Sequence, residues 1–342
     1  MKRPQRLLTI RLSAMGDVAM TVPVLLALRR TYPEVKVISL SRKRFHSFLS
    51  QIPGITLIEA DVKGDHKGIL GLRRLSKQLK EQEPDAIADF HNVLRTKILR
   101  SFMRKPIKST IDKGRAEKKK LVNDPQFFQP LKSTIERYQD VLSKLQLPVE
   151  LLATDVLPRQ SIPMKVNSLV GDHDYRWIGI APFAAHASKA LSLHKAQELT
   201  SSLLALGNVK LVLFGGGTTE CKQLEIVAGT QSNVFNLAGF MSFEKELAMI
   251  SNLDAMIAVD TGNGHLAAMY GVPVITLWGN THPYAGFVPF AQPNENQITV
   301  DREQFPLVPT SIYGNKVPSG YENVMESIGC TAVVERLREI LG

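Results

Sequence analysis

A serine, a glycine and an aspartate crowded at the end of an apolar run can hold a ligand and move a proton. Ser13-Ala14-Met15-Gly16-Asp17 stands between the apolar stretch Leu7–Leu12 and a stretch of helical spacing from Val18 to Arg30. Gly16 permits a tight turn with close approach of a ligand. The Asp17 carboxylate could take a proton from an alcohol within hydrogen-bond reach. Asp17 could equally cap a helix beginning at Val18. The two uses draw on the same oxygens but do not exclude each other.

A second constellation, Asp260-Thr261-Gly262-Asn263-Gly264-His265, follows the apolar run Ala255–Val259 and opens helical spacing over Gly264–Tyr270. Amides at a helix start favour a phosphate-bearing ligand, and glycines keep side chains out of its way. No Gly-Lys-Ser/Thr follows, so this is not a Walker loop. The third glycine of the dinucleotide fingerprint is also missing. An aspartic protease needs two carboxylates sharing a proton, and only one Asp-Thr-Gly occurs. The competing use is a plain strand-to-helix turn with Asp260 as cap.

Three further features are weaker alone. Phe214-Gly215-Gly216-Gly217-Thr218-Thr219-Glu220 is a glycine-rich turn that could meet a nucleotide or merely reverse the chain. Lys189 sits in a loop where a cation could pair with phosphate or with water. His91-Asn92 ends another apolar run, where the histidine could meet a substrate or serve as a structural hydrogen-bonder. No His, Cys, Asp or Glu cluster has the spacing of a metal site, so none is expected.

The elements that must carry these residues alternate. Strands are predicted at Leu7–Leu12, Val35–Leu40, Ile55–Glu59 and Asp85–Phe90. Helices are predicted at Val18–Arg30, Phe45–Gln51, Leu70–Glu81, Val93–Met103 and Ile135–Leu145. The basic stretch Ile111–Lys120 shows no packing periodicity, and Leu147–Ser168, with Pro148, Pro158 and Pro163, is irregular. The alternation restarts with strands at Trp177–Ala181, Lys210–Phe214, Ala255–Val259 and Val274–Trp278. Its helices are Lys195–Leu206, Glu220–Ala228, Phe243–Ser251, Gly264–Tyr270 and a final Ala332–Leu341. Such alternation implies parallel sheets covered by helices on both faces. The expected division is 1–160, 161–330 and a C-terminal helix 331–342, with a cleft between two α/β domains and ligands beyond the carboxyl ends of strands.

The 342 residues are 44 % hydrophobic and 22 % charged, ordinary for a globular chain. No run approaches the roughly 18 apolar residues of a membrane span. Lys2, Arg3 and Arg6 could imitate a basic leader, but Arg11 and Asp17 interrupt the apolar segment too early. Two cysteines, Cys221 and Cys330, point to a reducing compartment. Residues 1–160 hold 31 basic and 16 acidic side chains, net +15, whereas 161–342 hold 11 and 16, net −5. The first half should attract an anionic partner. Only 7 % of residues are aromatic, and no stacking platform interleaves the basic residues, so nucleic acid is not the expected partner.

Two stretches, taken together, carry a family likeness. Ile10-Arg11-Leu12-Ser13-Ala14-Met15-Gly16-Asp17-Val18, with Thr21-Val22-Pro23, resembles the amino-terminal signature of the bacterial heptosyltransferases, glycosyltransferase family 9. Asp260-Thr261-Gly262-x-Gly264-His265-Leu266-x-Ala268, with Gly271-x-Pro273 and Gly279-x-Thr281-x-Pro283, resembles their donor-binding signature. The resemblance implies an α/β fold of GT-B architecture, two Rossmann-like domains with parallel sheets facing a central cleft. It implies inverting, metal-independent transfer of heptose from ADP-heptose to a lipopolysaccharide inner-core acceptor, with Asp17 as general base and no cofactor beyond the ADP-sugar. Lys189 would join Asp17 in catalysis. Donor contacts would come from Met241, Asp260, Thr261, Gly262, Gly264, His265 and Glu220. Acceptor contacts would come from Ser13, Gly16, His91, Arg115 and Lys118.

The implied partners are a nucleotide-sugar and an anionic glycolipid, with peripheral contact to the cytoplasmic face of an anionic inner membrane, no nucleic acid, and a monomeric state. The chain departs from the family pattern at Ala184-Ala185, at Ala190-Leu191-Ser192, at His91-Asn92 and at Asn280, where a proline is frequent. The alternatives are transfer from another nucleotide-sugar into capsule or glycoprotein glycans, and a non-catalytic nucleotide-binding relative.

Overall fold

The computed structural model describes residues 3–162, 164, 167, 170–171 and 174–342. Lys2, Pro163 and Ser168 lie outside them. The chain divides into two compact units. The first is Met1–Lys113 with Thr134–Leu157, and the second is Gly114–Ser133 with Pro158–Gly342.

The first unit is built on β1 (Arg6–Ile10), β2 (Lys36–Ser41), β3 (Ile55–Glu59), β4 (Ala86–Asp89) and β5 (Ile107–Thr110). All pairs are parallel, in the order β3-β2-β1-β4-β5. The inner strands are largely apolar because both faces are covered, as parallel sheets require. Leu8, Ile10, Ile38, Leu40 and Ile87 of the sheet pack against Leu72, Leu75 and Leu79 from the helix Gly68–Glu81, and against Leu99 from the helix Leu94–Ser101.

Apolar spacing predicts one helix over Val18–Arg30, and two form instead, Met15–Ala19 and Thr21–Thr31. Pro23 has no N–H to offer the Ala19 carbonyl, so one ladder cannot run through. The Thr21 hydroxyl donates to the Val18 carbonyl at 2.6 Å at the junction. β5 escapes prediction because its four residues, Ile107–Thr110, include Lys108 and Ser109 and give little apolar signal.

The second unit carries β6 (Arg176–Ala181), β7 (Val209–Leu213), β8 (Val234–Asn236), β9 (Ala255–Val259), β10 (Val274–Trp278) and β11 (Gln297–Thr299). They are parallel in the order β11-β10-β9-β6-β7-β8. A central first strand flanked by later ones on both sides is the doubly wound plan of dinucleotide-binding folds, and the first unit follows it with five strands. The helices Leu193–Leu204 and Cys330–Leu341 cover this sheet through Leu199, Leu203, Val333 and Leu337. The three-residue strands β8 and β11 are too short to predict from an apolar run.

The basic stretch around Arg115, expected to lack regular packing and to belong to the first domain, differs on both counts. It forms the helix Arg115–Asn123, entered through Gly114 at φ 61°, and it groups with the second unit. Its apolar residue Leu121 joins Leu131 and Ala285, with Phe127, Phe128, Tyr284 and Phe287 around them. The Leu131 amide donates to the Tyr284 carbonyl at 2.9 Å.

Candidate active site

In an open parallel sheet, ligands bind where neighbouring strands send their connections in opposite directions. In the first unit that point lies between the carboxyl ends of β1 and β4. β1 delivers Arg11, Ser13, Gly16 and Asp17, and β4 delivers Phe90 and His91. The Ser13 Oγ and His91 Nε2 stand 3.4 Å apart across the gap.

Asp17 is not the N-cap of its helix but caps it from the third position, as in a capping box. Ala14 occupies the N-cap, and Asp17 is the third helical residue. Its Oδ2 accepts the Ala14 amide at 3.0 Å and pairs with Arg11 Nη2 at 2.5 Å. Both contacts use one oxygen. Oδ1 has no hydrogen-bond partner among the described residues, and the side chain is 26 % exposed. The carboxylate is thus fixed by one oxygen and open at the other, which is the arrangement proton abstraction needs.

Arg11 is the residue that sequence reasoning misses. It is buried, donates through Nη1 to the Phe90 carbonyl at 2.6 Å, and lies 5.9 Å from the Tyr138 ring centroid. Burial works against its charge, but Tyr138, Asp17 and Asp89 outweigh that, and its pKa lies above the ordinary arginine value. The Tyr138 hydroxyl donates to the Asp17 carbonyl at 3.1 Å. The signal that could find Arg11 is an arginine inside an otherwise apolar run.

His91 is held by a fully buried carboxylate. Asp89 Oδ1 accepts the amides of His91 and Asn92 at 2.9 and 2.8 Å, while its Oδ2 pairs with Arg100 Nε at 2.9 Å. Burial first, then the charges of Arg11, Lys113 and Arg42, depress the His91 imidazole to about 3, against a smaller opposing effect of Asp17. It is therefore neutral at neutral pH, a hydrogen-bonding group and not a cation.

The second unit repeats the plan. Its switch point lies between β6, whose loop carries Lys189, and β9, which ends one residue before Asp260. Lys189 Nζ lies 3.2 Å from Asp260 Oδ2, and the Thr281 hydroxyl donates to the same oxygen at 3.0 Å. Asp260 is not the N-cap either: Thr261 is, and the helix runs Gly262–Ala268. Asn280 is fully buried and laces the lysine loop down. Its Nδ2 donates to the Ser188 and Tyr321 carbonyls at 3.3 and 3.0 Å, and its Oδ1 accepts the Thr310 hydroxyl at 3.0 Å. A proline at this position could make none of these side-chain bonds. Gly314 lies against the lysine: at φ +76°, a Cβ there would stand 2.5 Å from Lys189 Cγ.

The remaining expected donor residues divide by environment. His265 is buried in its helix, and Met241 is half-buried in the turn before the helix Phe243–Ile250. Gly264 points its missing side chain at the sheet, with Val274 Cγ1 at 3.4 Å and Ala258 Cβ at 3.6 Å from a built Cβ, so it lets the helix seat on β9 and β10. Glu220 folds back to accept the Gly216 amide at 2.8 Å.

The expected acceptor residues fall in different units. Ser13, Gly16 and His91 are together in the first, whereas Arg115 and Lys118 ride on the helix Arg115–Asn123 in the second. There Lys118 Nζ lies 3.9 Å from the Phe287 ring centroid. Arg115, Lys118 and Lys119 line a cavity of about 410 Å³ with Ser311, Tyr313 and Lys316. Among the described residues no group of three or more His, Cys, Asp or Glu could hold a metal ion. No helix of the described residues is long and apolar enough to cross a membrane.

Known proteins share both the sequence pattern and the fold. The family model for glycosyltransferase family 9 (heptosyltransferase) matches residues 72–313. The chain is 26 % identical over 295 residues to the lipopolysaccharide core heptosyltransferase OpsX of Haemophilus influenzae, covering 82 % of this chain and 80 % of that one. A family 9 glycosyl transferase from Veillonella parvula superposes with a TM-score of 0.78 at 18 % identity, covering 98 % of this chain and 97 % of that one. The E. coli heptosyltransferase WaaC with ADP gives 0.69 at 18 % identity, covering 98 % and 99 %. The fold is accordingly the α/β GT-B type built from Rossmann-like units. With the family model spanning more than half of its length, the chain belongs to glycosyltransferase family 9, the heptosyltransferases, and is a transferase enzyme.

Proposed function

We propose that the protein transfers heptose with inversion from ADP-heptose to a lipopolysaccharide inner-core acceptor, with Asp17 as general base. The observation that carries this is the Asp17 carboxylate, clamped through Oδ2 by Arg11 and the Ala14 amide while Oδ1 stays open. An inverting displacement requires a base to take the acceptor hydroxyl proton as the new bond forms, and Oδ1 is the oxygen left for it. Arg11 supplies a fixed counter-charge that orients the carboxylate.

The leaving ADP needs its developing charge compensated. Lys189 uses one of its three N–H donors on Asp260 and keeps two for diphosphate oxygens. The amides at Thr261 and Gly262 add the partial positive end of a helix, with His265 one turn further in. Met241, Glu220 and Gly264 complete the donor side, Gly264 by packing. Ser13, Gly16 and the neutral His91 offer hydrogen bonds to acceptor hydroxyls, and Arg115 and Lys118 offer charge to its acidic groups. The surplus positive charge of the first 160 residues suits an anionic glycolipid at the cytoplasmic face of a membrane. The protein acts as a monomer with no cofactor beyond its sugar donor.

A nucleotide panel read by thermal shift, followed by turnover with purified inner-core lipid, tests this. Stabilisation by ADP over UDP and GDP, with transfer from ADP-heptose, is expected. Stabilisation by UDP or GDP instead would move the protein to another nucleotide-sugar. ADP binding without turnover on any inner-core acceptor would make it a non-catalytic relative.

A further inference from the structure

The first unit carries a surface that none of the chemistry above uses. The helix Gly68–Glu81 holds Ile69 and Leu70 in its first turn, and they are 63 % and 75 % exposed. Arg73, Lys77 and Lys80 follow at the three- and four-residue spacing that keeps side chains on one side of a helix. A groove of about 450 Å³ runs between this stripe and the next helix, lined by Ile69, Leu70, Arg73, Lys77, Lys80 and Arg104 among others. Arg104 and Ser101 are shared with a second groove of about 410 Å³ that also holds Lys97, Arg100 and Lys108. The two form one continuous basic face, and among the described residues no acidic side chain lines either groove.

The pairing within that face is uneven. Arg100 is committed to Asp89, and Lys108 Nζ donates to the Arg104 and Pro106 carbonyls. Arg73, Lys77, Lys80, Lys97 and Arg104 make no ion pair among the described residues, so their charge is directed outward. An oppositely charged partner is what such a surface lacks. The exposed Ile69 and Leu70 narrow the choice. A nucleic acid backbone offers nothing to two protruding aliphatic side chains, and among the described residues the one aromatic ring lining the grooves, Phe102, is half-buried and not presented for bases to stack on. A bilayer offers both anionic headgroups for the cations and an acyl boundary for the aliphatics.

We infer that the face formed by Ile69, Leu70, Arg73, Lys77, Lys80 and Arg104 is the surface by which this protein docks on an anionic lipid bilayer. It specifies the side of the molecule that meets the membrane in the function proposed above. It does not depend on which sugar is moved or on the identity of the base. Electrostatic attraction brings Arg73, Lys77, Lys80 and Arg104, with Lys97 of the adjoining groove, to the headgroups, and Ile69 and Leu70 then enter the boundary layer. Added salt weakens the first interaction but not the second.

The test is sedimentation of the full chain with vesicles, with no donor or acceptor present. Vesicles of phosphatidylcholine with phosphatidylglycerol should bind the protein, and pure phosphatidylcholine should not. Each neutralised cation should weaken partitioning by about fivefold near an anionic surface. The combined Arg73→Gln, Lys77→Gln and Lys80→Gln variant should therefore lose about a hundredfold. Ile69→Ser with Leu70→Ser should remove the part of the binding that survives added salt. Lys222→Gln with Arg338→Gln, exposed cations of the second unit, should bind as the parent does. Unchanged melting temperatures show that the variants fold.

Equal binding of parent and triple variant would overturn the inference, as would indifference to phosphatidylglycerol. Displacement from vesicles by a short DNA duplex at equal charge would reassign the face to nucleic acid. A protein that docks as expected yet transfers no heptose would sink the proposed function alone. One that transfers heptose to a detergent-dispersed acceptor but ignores vesicles would sink this inference alone.

Discussion

Replacing Asp17 by asparagine separates two things the carboxylate does. Asparagine keeps an oxygen that can accept the Ala14 amide and an Arg11 N–H, so the local turn persists. What disappears is the negative charge and the basic oxygen. A positioned general base contributes about 10²- to 10⁴-fold, equivalent to roughly 3–5 kcal/mol of barrier. Turnover should fall by that factor while the Michaelis constant for the donor stays within about threefold. Stability should also fall, because Arg11 is left buried without its counter-ion. Breaking a fully buried pair costs about 3–5 kcal/mol. Asp17 is 26 % exposed and the asparagine still accepts a hydrogen bond, so about 1–2 kcal/mol is expected here. The assay is ADP release from ADP-heptose with inner-core acceptor, run well below the variant's own melting temperature. Turnover within about tenfold of the parent would refute Asp17 as base. A folded variant whose melting point is unchanged would refute the Arg11 pairing as a stabilising contact.

Three further outcomes follow from other contacts. Gly314→Ala places a Cβ 2.5 Å from Lys189 Cγ at a positive φ, so the donor Michaelis constant should rise at least tenfold in steady-state kinetics, with about 1–2 kcal/mol lost in denaturant titration. Asp89→Ala strands the Arg100 guanidinium and two amides around a fully buried site, and should cost about 3–5 kcal/mol in the same titration. His91 and His282 are depressed to about 3 and about 4, chiefly by burial, with Arg11 adding in the first case and Arg302 in the second. Both imidazoles are neutral when folded but take up a proton near pH 6.5 when unfolded, so stability is complete above that pH and falls as the pH drops towards 4. Each contributes a slope of up to about 1.4 kcal/mol per pH unit; His91→Gln and His282→Gln should each flatten the curve of melting temperature between pH 6.5 and 5.

The central strands are readable in the sequence because both faces of each are buried. Ala255–Val259 and Val274–Trp278 form with the bounds their apolar runs predict. Ile55–Glu59 does so as well, although it is a half-buried edge strand, because its alternating apolar residues still mark it. Edge strands of three residues, such as β8 and β11, leave too few apolar residues to register. The residues at the strand ends are legible as chemistry: Asp17, Lys189, Asp260 and His91 all stand at the two switch points. Their partners are less so. Arg11, Asn280 and Thr281 act through contacts that span 79, 92 and 21 residues of sequence, and local spacing carries no trace of such pairings. The helix Arg115–Asn123 is obscured because its charges crowd out its periodicity; only Leu121 and the half-hidden Val122 mark its apolar side.

The excursion Gly114–Ser133 has a consequence for how the chain is made. It leaves the ribosome before any strand of the sheet it will join, and it is bracketed by segments that belong elsewhere. The amino-terminal unit can close once Leu157 has emerged, whereas Leu121, Phe127, Phe128 and Leu131 must wait uncovered until Ala285 and Phe287 are synthesised. During that interval the nascent protein displays a greasy loop on a finished globule, an invitation to chaperones or to aggregation. A gene fragment beginning at Pro158 would inherit the opposite defect, a carboxyl-terminal half lacking its own lining. Supplying the missing helix, by joining 114–133 to the front of that fragment through a linker, should recover a dispersed product where the simple truncation precipitates.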